Sequence, residues 1–397
     1  MDAKYTEYLE THFLRPISFP NKGEYYSFVH EIGNTVTFFV GEKFSITYGI
    51  VKESEHMLIN AIALFEKGYF DAAFYMLRQV MELCMMIAYF FELPDEERTQ
   101  RFKEWKGSVE RFPGVGEMRR TLESADYSVD FRDFKEKMPE FFDEFANVYR
   151  KLNKYTHKQG LRYFYSVRWH NDPKIDESLL ANFRKYLDLV IGCVAVFRLM
   201  IDPLPVLKLE EEIEYRTADI LMYPFSPKFV TKFIGDERLA AYKKTKLCSG
   251  FKADILRNNE KLSEATYNYI KWDLLERNSI PEVLKQKHLL SQRQIVQLMF
   301  VDKFIQITAI HTCGGLLTCQ TDVDSSRIDR FVSTAEFDLL EKSSHPYNQP
   351  YKGVFISVVN VQDELYFLEH NEIIDERTIT ELENYVRQAD CISKPQV

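Results

Sequence analysis

The sequence predicts a mainly α-helical protein, α+β overall, in which a helical bundle precedes a mixed α/β C-terminal domain. Four long segments between residues 51 and 201 carry apolar residues at helical spacing, whereas the clearest strand-like alternation lies near residues 353–370. The 397 residues, of which 45% are hydrophobic, are enough for two or three separate cores. We therefore expect an ordered protein of more than one domain.

The first part of the chain is divided by its prolines and glycines. Residues 1–50 are expected to form an N-terminal arm with a strand pair at 35–40 and 44–48. A helical bundle is expected over 51–205, and its long helices are predicted at 51–67, 70–92, 139–158 and 175–201. The connector 94–135 contains Pro94, Pro113 and two glycines, which predict one helix near 95–105, then loops and at most one more short helix.

A change of composition predicts the domain boundary at 205–215. Pro203 and Pro205 end the last long helix, and an acidic cluster follows at 210–214. Residues 215–397 are expected to form a C-terminal α/β domain of unknown role, with helices near 227–246, 261–277, 281–287, 291–307 and 377–389. Residues 353–360 and 364–370 are predicted to pair as a β-hairpin.

Charge and cysteine content exclude several classes of protein. The formal charge of −9 argues against a surface coated for general nucleic-acid binding, so that any such site must be local. The six cysteines have no CxxC spacing, and residues 1–13 lack the apolar run of a signal sequence, which together indicate reduced thiols and a cytoplasmic location without a membrane span. His311, Cys313 and Cys319 lack further ligands at metal-binding spacing. No metal and no cofactor are predicted.

The predicted helix at 139–158 has two different faces. At about 100° per residue, one line holds the apolar residues Phe141, Phe145, Val148, Leu152 and Tyr155. The opposite side holds Arg150, Asn153, Lys154 and His157. Arg150 and His157 are seven residues apart, so they share a face and lie roughly 10.5 Å apart along the helix axis.

The sequence around this helix is basic and aromatic. No acidic residue occurs from 145 to 171, and the stretch interleaves cations with tyrosine, phenylalanine and tryptophan. Such a stretch can hold phosphates while bases stack on the rings. The predicted RNA-binding residues are Lys151, Lys154, Lys158 and Arg162. The alternative is a solvated polar helix face followed by a packed aromatic loop.

The Arg150-(six residues)-His157 spacing follows a hairpin that contains Ala72–Glu82, and in this respect the chain resembles the HEPN superfamily over residues 51–205. This resemblance implies a metal-independent endoribonuclease, of the kind found in toxin–antitoxin and phage-defence systems. It also implies a homodimer whose composite site pairs Arg150 of one protomer with His157 of the other. Arg150 would hold the scissile phosphate, His157 would transfer the proton of the 2′-hydroxyl, and Asn153 would orient the imidazole or a phosphate. The expected partners are RNA and a protein such as an antitoxin.

Two alternatives remain open from the residues. Active HEPN proteins usually place a small polar residue directly after the arginine, where this chain has Lys151, so a non-catalytic HEPN-like interaction or regulatory protein is the second hypothesis. On the second helix, Arg78 and Glu82 are four residues apart and predict a structural ion pair, whereas the resemblance allows Glu82 to orient Arg150 or His157 instead.

Overall fold

The computed structural model of the protein describes residues 4, 16–37, 39–108, 112–160, 163–164, 173–312, 316–321, 348–351, 354–361 and 364–390. The chain divides into two compact units. The first contains Met1–Glu214 and Ile220–Asn259, and the second contains Tyr215–Asp219 and Glu260–Val397.

The first unit is helical throughout its described elements. Its longer helices are α1 (Lys22–Asn34), α2 (Glu42–Glu66), α3 (Phe70–Glu92), α4 (Asp95–Gly107), α5 (Val115–Ser124), α6 (Val129–Lys137), α7 (Pro139–Thr156), α8 (Pro173–Leu199), α9 (Asp236–Tyr242) and α10 (Lys246–Asn258). Single turns occur at Leu204–Leu207, Glu211–Glu214 and Pro227–Phe229, the last of which continues as a π-helix over Val230–Ile234. The predicted mainly α fold is confirmed.

Helix α3 is the centre of this unit. It packs against α2, α7 and α8, and the α2–α3 hairpin turns at Gly68, which has a φ of 84°. Among the described helices, α3 alone is long and apolar enough to cross a membrane, yet 67% of its apolar window is buried inside the protein. Such burial is what the core helix of a soluble protein shows.

The strand pair predicted in the N-terminal arm was wrong. Residues 44–48 are the start of α2, and the described residues of 35–40 form no strand. The aromatic and β-branched residues at 44–48 favour a strand locally, but Ile46, Ile50 and Val51 continue the helical apolar spacing of the rest of α2 and are buried with it. Burial along one helix face overrides the local preference.

The boundary predicted at 205–215 also differs from the structure, because the first unit continues to Asn259. The residues after the acidic cluster complete the bundle core. Phe233 packs against Phe28 with ring centroids 5.1 Å apart, and Tyr242 packs against Phe134 at 5.3 Å. The single helix expected at 227–246 is broken at Gly235, whose φ is 84°.

The second unit combines helices with an antiparallel sheet. Its longer elements are α11 (Glu264–Trp272), α12 (Ile280–Lys285), α13 (Gln292–Lys303), β1 (Ile307–Thr312), β2 (Leu316–Gln320), β3 (Asn348–Tyr351), β4 (Val354–Val361), β5 (Glu364–His370) and α14 (Glu376–Asp390). The strand order is β2-β1-β5-β4-β3. The predicted hairpin is confirmed as β4 and β5, whose register pairs Val359 with Tyr366. Strands β1, β2 and β3 were not predicted.

Glu92, at the end of α3, is a half-buried carboxyl group with a raised pKa. Its Oε1 accepts a hydrogen bond from the Phe131 N–H at 2.8 Å. Burial and the neighbouring Asp130 carboxylate raise the pKa of Glu92 to about 7, although Lys43 and the backbone N–H groups of 130 and 131 act in the opposite direction. The neutral form is therefore favoured in the folded protein.

We expect this group to make stability fall as the pH rises. The pKa of Glu92 in the folded protein, about 7, lies above the reference value of 4.5, so its contribution is present below pH 4.5 and is lost as the pH rises through 7. Glu92→Gln keeps the acceptor for Phe131. Between pH 6 and pH 8 the wild type should lose roughly 1 kcal/mol of unfolding free energy relative to this variant. Urea unfolding at both pH values measures the difference.

Glu96→Gln is the control, because this residue lies on the exposed surface of α4. The unfolding free energy of this variant should depend on pH in the same way as that of the wild type. The same pH dependence in all three proteins would contradict the expectation.

Candidate functional site

Helix α7 is held in a fixed rotation by its apolar stripe. Pro139 occupies its first turn, and Phe141, Phe145, Val148 and Leu152 are buried. Further along the stripe, the Tyr155 ring stacks on Phe74 of α3 with centroids 4.1 Å apart. Since this stripe packs on α3 and α8, the opposite side of α7 must face outward.

Arg150 and His157 are both exposed on that outward side. Arg150 Nη2 donates to Asn147 Oδ1 at 3.1 Å, so the guanidinium lies along the helix surface. The predicted helix end at 158 is corrected: α7 ends at Thr156, and His157 is its C-cap. The His157 N–H still bonds to the Asn153 carbonyl at 2.9 Å, which keeps the imidazole in helical register with Arg150.

Asn153 is held by a polar network between α3 and α7. Arg78 Nε donates to Asn153 Oδ1 at 2.7 Å, and Arg78 Nη2 pairs with Glu82 Oε1 at 2.8 Å. The Tyr149 hydroxyl donates to the same Glu82 oxygen at 3.0 Å. Because an arginine can only donate, the carboxamide oxygen of Asn153 must face α3, and its two N–H donors point away from Arg78.

This network decides between the two roles that the sequence left open for Glu82. The structural pair with Arg78 is present, and the Glu82 carboxylate also accepts a hydrogen bond from Tyr149, on the same helix as Arg150 and His157. Burial and the Glu82 carboxylate raise the pKa of Tyr149, so its phenol remains a donor. Sequence reasoning missed Tyr149, although its position four residues before Asn153 on α7 places the two on neighbouring turns.

Lys158 fixes the turn that follows His157. Its φ is 51°, a left-handed backbone conformation that glycine adopts most often. The Gln159 N–H donates a hydrogen bond to the Lys154 carbonyl at 3.0 Å. The Lys158 ammonium pairs with Asp71 of α3 and donates to the Tyr163 carbonyl at 3.1 Å. A lysine at this position thus ties the end of α7 to the beginning of α3.

The other predicted RNA-binding residues differ in what surrounds them. Lys151 is exposed and Lys154 is partly exposed on α7. Arg162 lies outside the described residues. Lys158 is already engaged by Asp71, which makes Lys151 and Lys154 better placed to bind an additional anion.

The described part of the chain gives no support for a metal site or for a reactive cysteine. Within it, no group of three or more His, Cys, Asp or Glu side chains is placed to hold a metal ion. The described cysteines are buried and form no disulfide: Cys84, Cys193, Cys248 and Cys319. Burial raises the pKa of each of these thiols, which favours the unreactive protonated form. Cys313 lies outside the described residues, and His311 is buried in β1.

Comparison with protein-family models, with curated proteins and with solved structures found no match to this chain. The function of the surface around Arg150 and His157 must therefore be inferred from the groups that it presents.

Proposed function

We propose that the protein is a cytoplasmic, metal-independent endoribonuclease of the HEPN type, with a composite active site at a homodimer interface. The observation that carries this proposal is the shared exposure of Arg150 and His157 on the outward face of a helix that is fixed by packing on its other side. A guanidinium can stabilise the negative charge that develops in phosphodiester cleavage and an imidazole can transfer the proton, so the reaction can proceed without a metal.

The need for a second copy follows from distance. Arg150 and His157 are roughly 10.5 Å apart along the axis, and the Arg150 guanidinium bonds to Asn147, on the side away from His157, so the two groups do not converge on one phosphodiester within this chain. Two α7 helices related by a twofold axis can run antiparallel, so that Arg150 of one protomer lies beside His157 of the partner subunit. The same operation creates a second, identical site.

The proposed reaction is an internal transfer of the phosphoryl group. The imidazole of His157 accepts the proton of the ribose 2′-hydroxyl, the O2′–P bond forms, and the P–O5′ bond breaks as O5′ takes up a proton from water. The imidazolium then returns its proton to the solvent. Arg150 stabilises the charge that develops on the non-bridging oxygens. The products are a 2′,3′-cyclic phosphate and a 5′-hydroxyl.

Neighbouring residues support binding of the RNA backbone. Asn153 turns its N–H donors away from Arg78, because Arg78 holds its oxygen, and these donors can bind a phosphate. Lys151 and Lys154 add positive charge to the same helix, and neither has an acidic neighbour in the sequence from 145 to 171. An unrestrained nuclease would damage the RNA of its own cell, and we therefore expect a protein partner such as an antitoxin, in a toxin–antitoxin or phage-defence system.

A second function is favoured by one observation. Lys151 is exposed directly after Arg150, where active HEPN proteins usually carry a small polar residue. In a non-catalytic interaction or regulatory protein, Arg150, Lys151 and His157 would bind an acidic surface of a partner instead of a scissile phosphate.

The two functions are separated by a cleavage assay. The purified protein is incubated with 5′-labelled RNA in EDTA, and the products are examined before and after acid treatment, which opens a cyclic phosphate. The nuclease proposal expects cleavage that EDTA does not inhibit and fragments that end in a cyclic phosphate. A strict requirement for a divalent metal would contradict the proposed metal-independent mechanism, and no cleavage of any RNA tested would favour the second function.

Asn153→Asp gives a prediction that is specific to the network with Arg78. The new carboxylate keeps, and strengthens, the bond that Arg78 Nε makes to the side chain of residue 153. We therefore expect an unchanged or higher melting temperature, together with RNA binding weakened by about tenfold, since one negative charge faces the phosphate and the N–H donors are lost. Thermal unfolding and a fluorescence anisotropy titration measure the two effects.

Asn60→Asp is the matched control because it adds the same charge on α2, outside the proposed site. Its RNA affinity should change by less than about twofold, as expected for a screened surface charge. An equal loss of affinity in both variants would mean that net charge, and not the position of Asn153, decides binding.

A further inference from the structure

Tyr75 is an exposed aromatic residue on α3, a helix whose other large apolar residues are mostly buried. Its side chain is 42% exposed, whereas Phe74 beside it on α3 is fully buried. The Phe74 ring already fills the core position of this turn, where it stacks on Tyr155. Packing of the bundle therefore gives no reason for a large ring at residue 75.

The contacts on either side of Tyr75 place it next to the end of α7. One turn earlier, Asp71 pairs with Lys158, and one turn later, Arg78 bonds to Asn153. Asp71, Tyr75 and Arg78 lie within about 60° on the α3 surface, so Tyr75 is bracketed by contacts to both ends of the segment 153–158. That segment contains His157.

A second exposed ring lies beside the same contacts. Phe164 is 40% exposed and follows Tyr163, whose carbonyl accepts a hydrogen bond from Lys158 at 3.1 Å. The Tyr163 ring packs edge-on against Tyr155 with centroids 4.7 Å apart, which anchors this short piece of chain to α7. Two exposed rings, Tyr75 and Phe164, therefore adjoin the Asp71–Lys158 pair.

We propose that Tyr75 and Phe164 form a base-binding platform, on which unpaired bases next to the cleaved phosphodiester stack. The inference deepens the proposed nuclease function and rests on it. Flat exposed rings beside cations are the combination that binds single-stranded nucleic acid, because bases stack on the rings while phosphates approach the positive charge. A base that stacks on Tyr75 cannot remain paired in a duplex, so the platform selects single-stranded RNA.

The surroundings favour RNA over a second copy of the chain as the occupant. Lys158 is linked to the neighbourhood of both rings by its contacts with Asp71 and Tyr163, and Lys154 and His157 precede it on the same segment. An RNA strand complements these cations, and the proposed dimer contact uses the face of α7 that carries Arg150 and His157 instead of the two rings.

The test measures binding separately from cleavage. In a His157→Ala background, Tyr75→Ala is titrated with a fluorescent single-stranded RNA of 12 nucleotides and with the same RNA annealed to its complement. The affinity for the single strand should fall by about tenfold, the effect expected for one lost stacking contact, while the weaker affinity for the duplex stays the same. Tyr75→Phe keeps the ring and should retain the wild-type affinity.

Tyr223→Ala is the control, since it removes another exposed tyrosine, 70% exposed, from the same unit. It should leave both affinities unchanged. Equal binding by Tyr75→Ala and its parent would overturn the platform, as would a change in sedimentation that shows Tyr75 to be part of the contact between two copies. A loss of single-strand binding in Tyr75→Ala together with a catalytically inactive wild type would keep the platform and reject the nuclease.

Discussion

Replacing His157 with alanine should lower the rate of RNA cleavage by about a thousandfold, and Arg150→Ala by a similar factor. Positioned proton transfer typically contributes 10²–10⁴-fold, and a charged group that stabilises a developing oxyanion about 10²–10³-fold. Both side chains are exposed, so neither change removes core packing, and circular dichroism and thermal unfolding should match the wild type. The measurement is the single-turnover cleavage rate of a labelled RNA in EDTA.

His56→Ala provides the control for His157→Ala. His56 is likewise exposed, on α2, where its ring lies 3.4 Å from the Asn60 side-chain nitrogen. Its removal should leave the cleavage rate within about twofold of the wild type, as expected for a surface substitution outside a site. Cleavage that persists at the wild-type rate in both His157→Ala and Arg150→Ala would remove these residues from the mechanism.

Arg198→Met should destabilise the first unit by about 3–5 kcal/mol, the usual cost of leaving one charge of a buried pair without its partner. Arg198 Nη2 lies 3.0 Å from Asp202 Oδ2, and the two side chains are 0% and 1% exposed. The guanidinium also donates to Thr35, and the Tyr48 hydroxyl donates to Asp202 at 2.7 Å. The pair therefore joins the end of α8 to the chain that leads into α2.

Urea unfolding followed by tryptophan fluorescence measures this loss. The double variant Arg198→Met/Asp202→Asn is the informative comparison, because it leaves no buried charge. The single carboxamide oxygen of asparagine replaces one of the two Asp202 oxygens, which accept separately from Tyr48 and from the Leu204 N–H. The double variant should be more stable than Arg198→Met alone by more than about 1 kcal/mol. Equal stability of the single and double variants would show that the charge of Asp202 is not the source of the cost.

The sequence predicts those parts of the fold whose apolar spacing is long and regular. The spacing along 70–92 and 139–158 is sustained over several turns, and the structure has helices at Phe70–Glu92 and Pro139–Thr156. Prediction from the sequence fails where the local preference of the residues and their burial in the fold disagree. Residues 44–48 have the composition of a strand but form part of a helix. Strand β1 escaped prediction because all its residues are buried, which removes the alternation that marks a half-exposed strand.

The candidate site, like the fold, could be predicted only in part from the sequence. Helical periodicity alone puts Arg150 and His157 on one face, since both belong to one helix. The bonds from Arg78 to Asn153 and from Lys158 to Asp71 join residues 75 and 87 positions apart, and they depend on how α3 packs against α7. No local pattern encodes that packing. The sequence contains these acidic and basic residues, but it does not show which of them form pairs.

The most direct test of the composite site mixes two inactive proteins. Arg150→Ala and His157→Ala are combined in equal amounts, unfolded together and refolded so that the subunits exchange. If each site takes Arg150 from one protomer and His157 from the partner subunit, half of the dimers are mixed and each has one intact site, so about a quarter of the wild-type activity should return. If both residues act within one chain, the mixture will stay as inactive as its components, and that result would contradict the proposed dimeric site.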